Sequence, residues 1–586
     1  MSKLLFLILS LTVFLAACED PSANKPKATT SEPSSNTANS ANSANNSTAA
    51  APVKGETLVI NPENSKVEFV GSKVTGKHER AAAIWHSRHS NLDPLQGRPG
   101  TGADHRGGFA RGDSNRGFEI HFGCGGIRLS MNFRQFYLGC LAHASYYIGS
   151  GDEAAVIDPQ RDVQQYLDEA GSNRQKIKYI IETHSHADFV SGHIELAKRT
   201  GAQIVYGQRA ETKFPTLKVT DGDELSVGDF ELKFFETPGH TPESITIAAR
   251  NKAEPSAPLK IFTGDTLFIG DVGRPDLIGS KGFTSEEMGA MLYDSLHQKI
   301  MPLPDDTEVY PAHGAGSLCG KSLSSETWST LGEQKRTNYA LQAMSKDEFV
   351  KLVSSDQPLV PAYFPKSAVR NLEGPASIDE LSPPERLSSN EIANFDGVVL
   401  DLRTEAEYGE RHIPNAINIG LRGKFATWAG TFITIGTPLA IAAETQEQVD
   451  EAFMRLARVG IETVRGYVLM SDYTGEARSI YQMNVSEAES STQAIEKIQF
   501  VDVRQPGEYG SGHALSTNNL PLNTLSREID SLDPELPTYV ICQTGYRSSL
   551  ATSILENAGF RKLYNVAGGT AAWVEAGLST ETSSAA

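Results

Sequence analysis

The sequence predicts a multidomain α/β protein with a long N-terminal extension, and three observations support this prediction. From Met131 onward, short strand signals alternate with helical runs, which is typical of helices covering a sheet. Residues 401–413 and 502–514 resemble each other, which indicates two related domains. A length of 586 residues corresponds to about three to four domains of roughly 150 residues each.

The overall charge narrows the classes of function. Acidic residues number 72 and basic residues 53, so the formal net charge is −19. Binding to nucleic acid or to an anionic membrane surface requires a basic face, and we predict neither. Five cysteines in a chain of this length are too few and too scattered for a disulfide scaffold or a cysteine-based zinc ribbon.

The first 18 residues predict a signal peptide. Lys3 precedes an apolar run over 4–17 that is too short to span a bilayer. The sequence Leu-Ala-Ala-Cys ending at Cys18 resembles a bacterial lipobox. This resemblance implies that Cys18 is lipidated and that the protein is a membrane-anchored lipoprotein facing the periplasm. A short buried helix is the alternative, and a start at Met131 would instead give a cytoplasmic protein.

The next segments lack the patterns of a packed core. Residues 19–55 are rich in Ser, Asn, Ala and Thr and predict a disordered linker. Residues 56–79 contain two alternating apolar runs that resemble the first strands of the YceI-like barrel family, although two strands cannot close a barrel. Residues 80–130 contain no lysine and follow neither helical nor strand periodicity. We predict that they are irregular or disordered, or that they are not native coding sequence.

Metal-ligand residues follow successive predicted strands between residues 131 and 345. His184-Ser185-His186-Ala187-Asp188 follows the strand signal at 179–183. His240 and Asp265 each follow a later strand, and His313 comes last. Because such strand ends gather at one edge of an α/β sheet, we predict that these side chains form a metal site.

This series resembles the metallo-β-lactamase family, whose motif T-H-x-H-x-D-H is followed by Gly-His, a strand-end Asp and a late His. The resemblance covers residues 131–345 and implies an αββα sandwich. One position departs from the motif, because Phe189 stands where binuclear hydrolases place a histidine for the second metal. Two histidines and one carboxylate, His184, His240 and Asp265, then form a mononuclear centre like that of non-haem Fe(II) oxygenases.

Within that superfamily, residues 264–277 and 311–321 resemble the persulfide dioxygenases (sulfur dioxygenases) that are fused to rhodanese domains. The resemblance implies that His184, His240 and Asp265 bind one Fe(II) per chain, with zinc as the alternative metal. It also implies that three neighbouring residues orient these ligands: His186, Asp188 and His313.

Two further residues near the predicted site have competing interpretations. Arg274 is a candidate for binding the acidic end of a thiol substrate, since guanidinium binds carboxylates bidentately. A structural salt bridge is the alternative for Arg274. Cys319 either relays sulfur or is a small buried apolar residue.

The second repeat, predicted over residues 485–580, contains a cysteine loop. A predicted strand at 539–541 ends at Cys542, and Arg547 precedes a helix predicted at 548–558. A helix N-terminus and a nearby arginine lower a thiol pKa and can hold a persulfide anion. The Cys-x4-Arg spacing resembles the rhodanese family, whereas dual-specificity phosphatases hold phosphate in a longer Cys-x5-Arg loop. This resemblance implies sulfur transfer through a Cys542 persulfide.

The first repeat, predicted over residues 360–480, lacks these groups. When the repeats are aligned through Gly460 and Gly559, Ala443 falls on Cys542 and Gln448 falls on Arg547. We therefore predict an inactive rhodanese-like domain that acts as a spacer or docking platform.

Together the resemblances imply an enzyme of sulfide and sulfane-sulfur detoxification. It would oxidise a small thiol persulfide, of the glutathione persulfide type, with O2 to sulfite. A rhodanese step would transfer sulfur between thiosulfate, sulfite and a thiol. The alternatives are a glyoxalase II-like zinc thioesterase and a membrane-tethered, non-catalytic sulfur carrier. The oligomeric state stays open, with a homo-oligomer as one option.

Overall fold

The computed structural model describes residues 132–277, 282–355, 357, 359–494 and 497–583, which all belong to one compact unit. The predictions for residues 1–131, including lipidation of Cys18 and a start at Met131, lie outside the described residues. Among the described residues, no helix has the length and apolar character needed to cross a membrane.

Two six-stranded sheets form the first domain, and in each sheet the strands lie side by side in chain order. The first sheet is antiparallel over its first three strands and parallel over the rest. Its strands are Asn132–Leu138, His143–Ser150, Glu153–Ile157, Lys176–Ile181, Gln203–Gly207 and Leu217–Val219. The second sheet has one parallel pair, between its fourth and fifth strands. Its strands are Glu224–Val227, Phe230–Glu236, Ile245–Asn251, Lys260–Gly264, Glu308–Pro311 and Ser329–Thr330.

The core of this domain lies between the two sheets. Phe230, Leu232 and Phe234 alternate along one strand and are fully buried against side chains of the other sheet, as expected when one strand face is apolar. Helices cover both outer faces. They are Gln164–Asn173 and His193–Thr200 on the first sheet, and Ser285–Ser295, the π-helix Leu296–Ile300, Leu331–Thr337, the 3₁₀ turn Tyr339–Leu341 and Lys346–Ser354 on the second.

A five-stranded parallel sheet forms the second domain. Its strands, in spatial order, are Glu385–Arg386, Val464–Leu469, Leu439–Ala443, Val398–Asp401 and Ile417–Asn418. The helices of this region are Phe364–Glu373, the 3₁₀ turn Ile378–Glu380, Ser389–Ala393, Glu405–Glu410, Phe425–Phe432 and Gln446–Arg458.

The third domain repeats this sheet. Its strands, in spatial order, are Tyr481–Met483, Leu563–Val566, Thr538–Ile541, Gln499–Asp502 and Asn518–Asn519, with a separate pair His513–Ala514 and Thr580–Glu581. Its helices are Val485–Ala494, Pro506–Ser511, Leu525–Glu528, the 3₁₀ turn Ile529–Ser531, Tyr546–Asn557 and Gly569–Glu575. The predicted αββα sandwich followed by two related α/β domains is confirmed for the described residues.

The registers of the two repeats agree. Asp401 pairs with the residue before Ala443, and Asp502 pairs with the residue before Cys542. Ala443 and Cys542 therefore occupy the same position in their domains.

Some element boundaries differ from the sequence prediction. The strand predicted at 179–183, for example, spans Lys176–Ile181. It ends early because the N–H and the hydroxyl of Thr183 both donate to the carboxylate of Asp158.

The packing between the two sheets predicts how much stability is lost when one of its buried side chains is truncated. Leu232→Ala removes a fully buried side chain and should lower the free energy of unfolding by about 2–5 kcal/mol, because a cavity remains. Leu359→Ala is the matched control, since that side chain is 54% exposed and should change the value by less than about 0.5 kcal/mol. Urea unfolding measures both. Equal effects of the two substitutions would contradict the assignment of Leu232 to the core.

Candidate metal centre and cysteine loop

Three separate strand ends bring together one cluster of ligand-type side chains. His184 follows the strand Lys176–Ile181, His240 follows Phe230–Glu236, and Asp265 follows Lys260–Gly264. One ligand atom of each residue lies within 4.8 Å of the others, and all three are buried. Oδ2 of Asp265 is 3.3 Å from Nε2 of His240 and 3.7 Å from Nε2 of His184.

Local hydrogen bonds orient the two imidazoles of this cluster. Nδ1 of His240 donates to the carbonyl oxygen of Arg274 at 2.9 Å, which leaves its Nε2 free of a proton and aimed at Asp265. Nδ1 of His184 lies 3.0 Å from the hydroxyl of Thr183. A side chain at Gly264, whose φ is +53°, would place its Cβ 2.6 Å from that hydroxyl. Close approach of the two strand ends therefore requires glycine there.

The buried carboxylate of Asp265 lacks ordinary hydrogen-bond partners. Neither of its oxygens accepts a well-formed hydrogen bond, although such buried groups are nearly always satisfied. Burial raises the pKa of Asp265 to about 6. Burial also lowers the pKa of His240 to about 4 and that of His184 well below its ordinary value. Neutral imidazoles and a buried carboxylate whose oxygens accept no well-formed hydrogen bond fit a bound metal ion.

His186 faces two other carboxylates. Its Nε2 lies 3.1 Å from Oδ1 of Asp158 and 3.6 Å from Oε2 of Glu182. Burial opposes the charged form, but these two carboxylates outweigh it and raise the pKa of His186 to about 9. A protonated imidazole cannot bind a metal, so this arrangement favours a role for His186 outside the ligand set.

His313 and Asp188 lie on the other side of Asp265. Nε2 of His313 is 3.6 Å from Oδ1 of Asp265 and 3.5 Å from Oδ2 of Asp188. With His186, they form a second group whose ligand atoms lie within 4.8 Å of one another. Burial raises the pKa of Asp188 to about 6. This group borders the first one through the carboxylate of Asp265.

Phe189 places an apolar ring beside this second group. The side chain is buried, and its centroid lies 4.1 Å from the His143 ring and 4.5 Å from the His186 ring. It belongs to the same apolar cluster as Tyr363 and Phe364, which lie at the start of the helix Phe364–Glu373. The position therefore contributes packing and offers no donor atom to a metal.

Arg274 forms the structural salt bridge that was one of its two predicted roles, and a role in substrate binding stays a prediction. Its side chain is buried, and Nε and Nη2 donate to the two carboxylate oxygens of Asp276 at 2.6 and 2.7 Å. Nη1 donates to the carbonyl of Leu318. The bidentate face of the guanidinium is thus occupied by a carboxylate two residues away. What Arg274 supplies to the site is its carbonyl oxygen, which orients His240.

Cys319 lies beside the first cluster. The sequence did not predict this position of Cys319. Its sulfur is within 4.8 Å of ligand atoms of Asp265 and His313. Burial, reinforced by the charges of Asp188 and Asp265, raises the pKa of the thiol well above its ordinary value. Cys319 is therefore a neutral, buried thiol, and a sulfur relay there stays a prediction.

The loop after the strand Thr538–Ile541 surrounds the Cys542 sulfur. The Gly545 N–H lies 3.1 Å from the sulfur, and the Ser548 hydroxyl lies 3.4 Å from it. Gly545 has a φ of +101° and precedes the 12-residue helix Tyr546–Asn557. A backbone donor and a hydroxyl donor at the start of this helix thus point at the sulfur.

The arginine of the loop is fixed in one repeat and replaced in the other. Nη1 and Nη2 of Arg547 donate to the carboxylate of Glu508, both at 2.7 Å. In the first repeat, the side-chain oxygen of Gln448 instead accepts the N–H of Glu444 at 2.9 Å. The loop of the first repeat thus has neither a thiol nor a cation, and the Gln448 side chain binds the backbone of that loop.

The raised pKa of Asp265 predicts how metal affinity depends on pH. Above about pH 6 this carboxyl is ionised and both imidazoles are already neutral, so affinity should be nearly constant. Below that pH, one proton must leave for each metal bound, and affinity should fall about tenfold per pH unit. Chelator competition with Zn²⁺ between about pH 5 and pH 8 measures this. A steeper fall, centred on ordinary histidine values, would contradict it.

Comparison with known proteins places the domains in families. The metallo-beta-lactamase superfamily matches residues 138–313, and the rhodanese-like domain matches residues 385–469 and 487–576. Persulfide dioxygenase ETHE1 of Homo sapiens is 30% identical over 239 residues, which are 39% of this chain and 84% of that protein. A hydroxyacylglutathione hydrolase of Idiomarina loihiensis is 32% identical over 28% of this chain and 56% of its own length.

A solved structure extends the similarity beyond the first domain. The crystal structure of a metallo-beta-lactamase from Staphylococcus aureus aligns with a TM-score of 0.53 and 33% identity. The alignment covers 58% of this chain and 98% of that one. The chain therefore belongs to the metallo-beta-lactamase superfamily, with persulfide dioxygenase ETHE1 among its relatives, and carries two rhodanese-like domains.

Proposed function

We propose that this protein is an iron-dependent persulfide dioxygenase joined to a rhodanese sulfurtransferase. The observation that carries the proposal is the cluster of His184, His240 and Asp265, beside which Phe189 replaces a ligand of the second metal. Two histidines and one carboxylate with open positions are typical of Fe(II) centres that use O2. Similarity to a persulfide dioxygenase over 84% of its length supports the same assignment.

In this proposal the three residues of the first cluster hold one Fe(II) per chain, while His186, Asp188 and His313 hold the ligand-bearing segments in place. Bound iron would supply binding and activation of O2 and of the persulfide sulfur. The protein fixes the geometry and keeps the buried site largely dry. A thiol persulfide, O2 and water give the free thiol and sulfite, with glutathione persulfide as the expected type of substrate.

The third domain performs sulfur transfer in this proposal. The Cys542 thiolate attacks the sulfane sulfur of thiosulfate, the sulfur–sulfur bond breaks, and sulfite leaves. The Gly545 N–H and the helix that follows it stabilise the resulting Cys542 persulfide. A small thiol then takes up the sulfur, and Arg547 supplies positive charge at the loop.

We further propose that the two centres share an intermediate. The thiol persulfide that leaves the rhodanese step is the substrate class of the iron centre, and sulfite is common to both reactions. This combination would serve detoxification of sulfide and sulfane sulfur with small-molecule partners alone. Lipid anchoring at Cys18, a cytoplasmic form from Met131 and homo-oligomer formation stay predictions.

A zinc thioesterase of the hydroxyacylglutathione hydrolase type is the second candidate. The neighbouring group of His186, Asp188 and His313 favours it, because these residue types could help to hold a second metal. Phe189 argues against it. A non-catalytic sulfur carrier, the third alternative, predicts no oxygen uptake and no effect of His184→Ala.

Oxygen uptake separates these candidates. Iron-loaded protein should consume O2 and form sulfite from glutathione persulfide. His240→Ala should lose the iron and at least about 100-fold of this activity, since loss of a residue that only orients a ligand already costs about 10–100-fold. His297→Ala, in the helical segment Leu296–Ile300, is the control and should retain both. Two zinc ions per chain, thioester hydrolysis and no oxygen uptake would identify the hydrolase instead.

Sulfur transfer should require Cys542. Cys542→Ser should abolish thiosulfate sulfurtransferase activity, because the hydroxyl cannot form a persulfide, while oxygen uptake on supplied glutathione persulfide persists. Cys140→Ser is the matched control and should retain both activities. Sulfur transfer by Cys542→Ser at the wild-type rate would refute the assignment of the nucleophile.

A further inference from the structure

The segment that carries His186 and Asp188 is held by a side chain from outside the metallo-beta-lactamase match. Asn371, on the helix Phe364–Glu373, is fully buried. Its Nδ2 donates to the carbonyl oxygens of His186 and Phe189, both at 2.8 Å. Its Oδ1 accepts the Ser191 N–H at 2.9 Å. One amide side chain thus satisfies three backbone groups of this segment.

The second domain supplies a fourth bond to the same segment. The Val190 N–H donates to the carbonyl of Arg458 at 2.7 Å. Arg458 is the last residue of the helix Gln446–Arg458, and its guanidinium binds the Asp162 carboxylate of the first domain at 3.0 Å. The backbone of the helix end and its side chain therefore both contact the first domain.

An ion-pair network fixes the helix that carries Asn371. Glu462 binds Arg161 of the first domain and Arg370 of the helix, each at 2.8 Å. Arg370 also donates to the carbonyl of Gly460, and Arg161 donates to that of Ala376. Because Glu462 and Gly460 belong to the second domain, the helix is connected to both domains.

These contacts give the first rhodanese-like domain, which is predicted to be inactive, a structural role beside the metal centre. Buried backbone groups without hydrogen-bond partners are destabilising, so the segment 186–191 would move to regain partners if Asn371 were lost. It begins two residues after His184 and carries His186, Asp188 and Phe189. Loss of the residues that orient metal ligands typically weakens metal binding by about 10–100-fold.

We propose that the helix Phe364–Glu373 and the inactive rhodanese-like domain form part of the metal centre, with Asn371 as its positioning residue. Asn371 acts through the segment 186–191 and has no contact with substrate in this proposal. The proposal rests on the proposed metal binding. It explains how a domain without Cys and Arg in its loop contributes to the activity.

Metal affinity tests the proposal in the full chain. Asn371→Ala removes all three bonds, and Asn371→Asp keeps the volume but replaces the donor to two carbonyl oxygens with an acceptor. Both variants should bind Co²⁺ at least tenfold more weakly than the wild type, with altered visible absorption bands of the bound ion. Far-ultraviolet circular dichroism shows whether each variant is folded as a whole, and sulfurtransferase activity of Cys542 shows that the third domain is folded.

Asn418→Ala is the matched control. Asn418 is also buried, donates to the carbonyls of Asp401 and Arg403, and accepts the Ser549 hydroxyl. Its loss should lower thermal stability but leave Co²⁺ affinity within about twofold, because these bonds lie within the rhodanese-like domains. Folded Asn371 variants with wild-type affinity and spectrum would overturn the proposal, as would an equal loss in Asn418→Ala. If the wild type itself binds no metal, the proposed function fails instead.

Hydrogen exchange of the wild type provides a test that needs no variant. Coupling between two sites is reciprocal, so Co²⁺ binding should slow amide exchange in the helix Phe364–Glu373 as well as at Val190 and Ser191. Unchanged exchange in that helix on metal binding would overturn the proposal even if both Asn371 variants failed to fold.

Discussion

The buried carboxylate of Asp265 is the constraint on which the first domain depends. Three imidazoles surround it, from His184, His240 and His313, and none of them completes an ordinary hydrogen bond to its oxygens. Such a carboxylate favours either a proton or a cation, and the neutral histidines beside it favour the cation. The αββα sandwich allows this placement because it brings three strand ends to one point.

The same constraint explains why the domains are packed together. The segment 186–191 must turn beside the carboxylate, and its backbone groups bond to Asn371 and Arg458. Phe189 joins an apolar cluster that continues into both rhodanese-like domains. The first repeat thus contacts the segment beside the metal cluster and, through Asn418 and Ser549, the helix that follows Cys542.

Much of the fold and of the site follows from sequence, for a physical reason. Ligand residues at strand ends and the Cys-x4-Arg loop are local patterns, so the domain order was predictable and His184, His240 and Asp265 could be expected to meet. The two interpretations of Arg274 could not be separated from sequence, because spacing does not reveal that Asp276 binds its guanidinium. Asn371 was missed, because its partners lie about 180 residues away and its own helix shows no ligand pattern.

One metal, held by His184, His240 and Asp265, is the central claim. Crystals of the iron-loaded protein, measured on both sides of the iron absorption edge, test it most directly. We expect a single anomalous peak bonded to those three side chains, with Phe189 packed beside His186 and no metal bound there. A second peak between His186, Asp188 and His313, or a single peak on those residues, would contradict it.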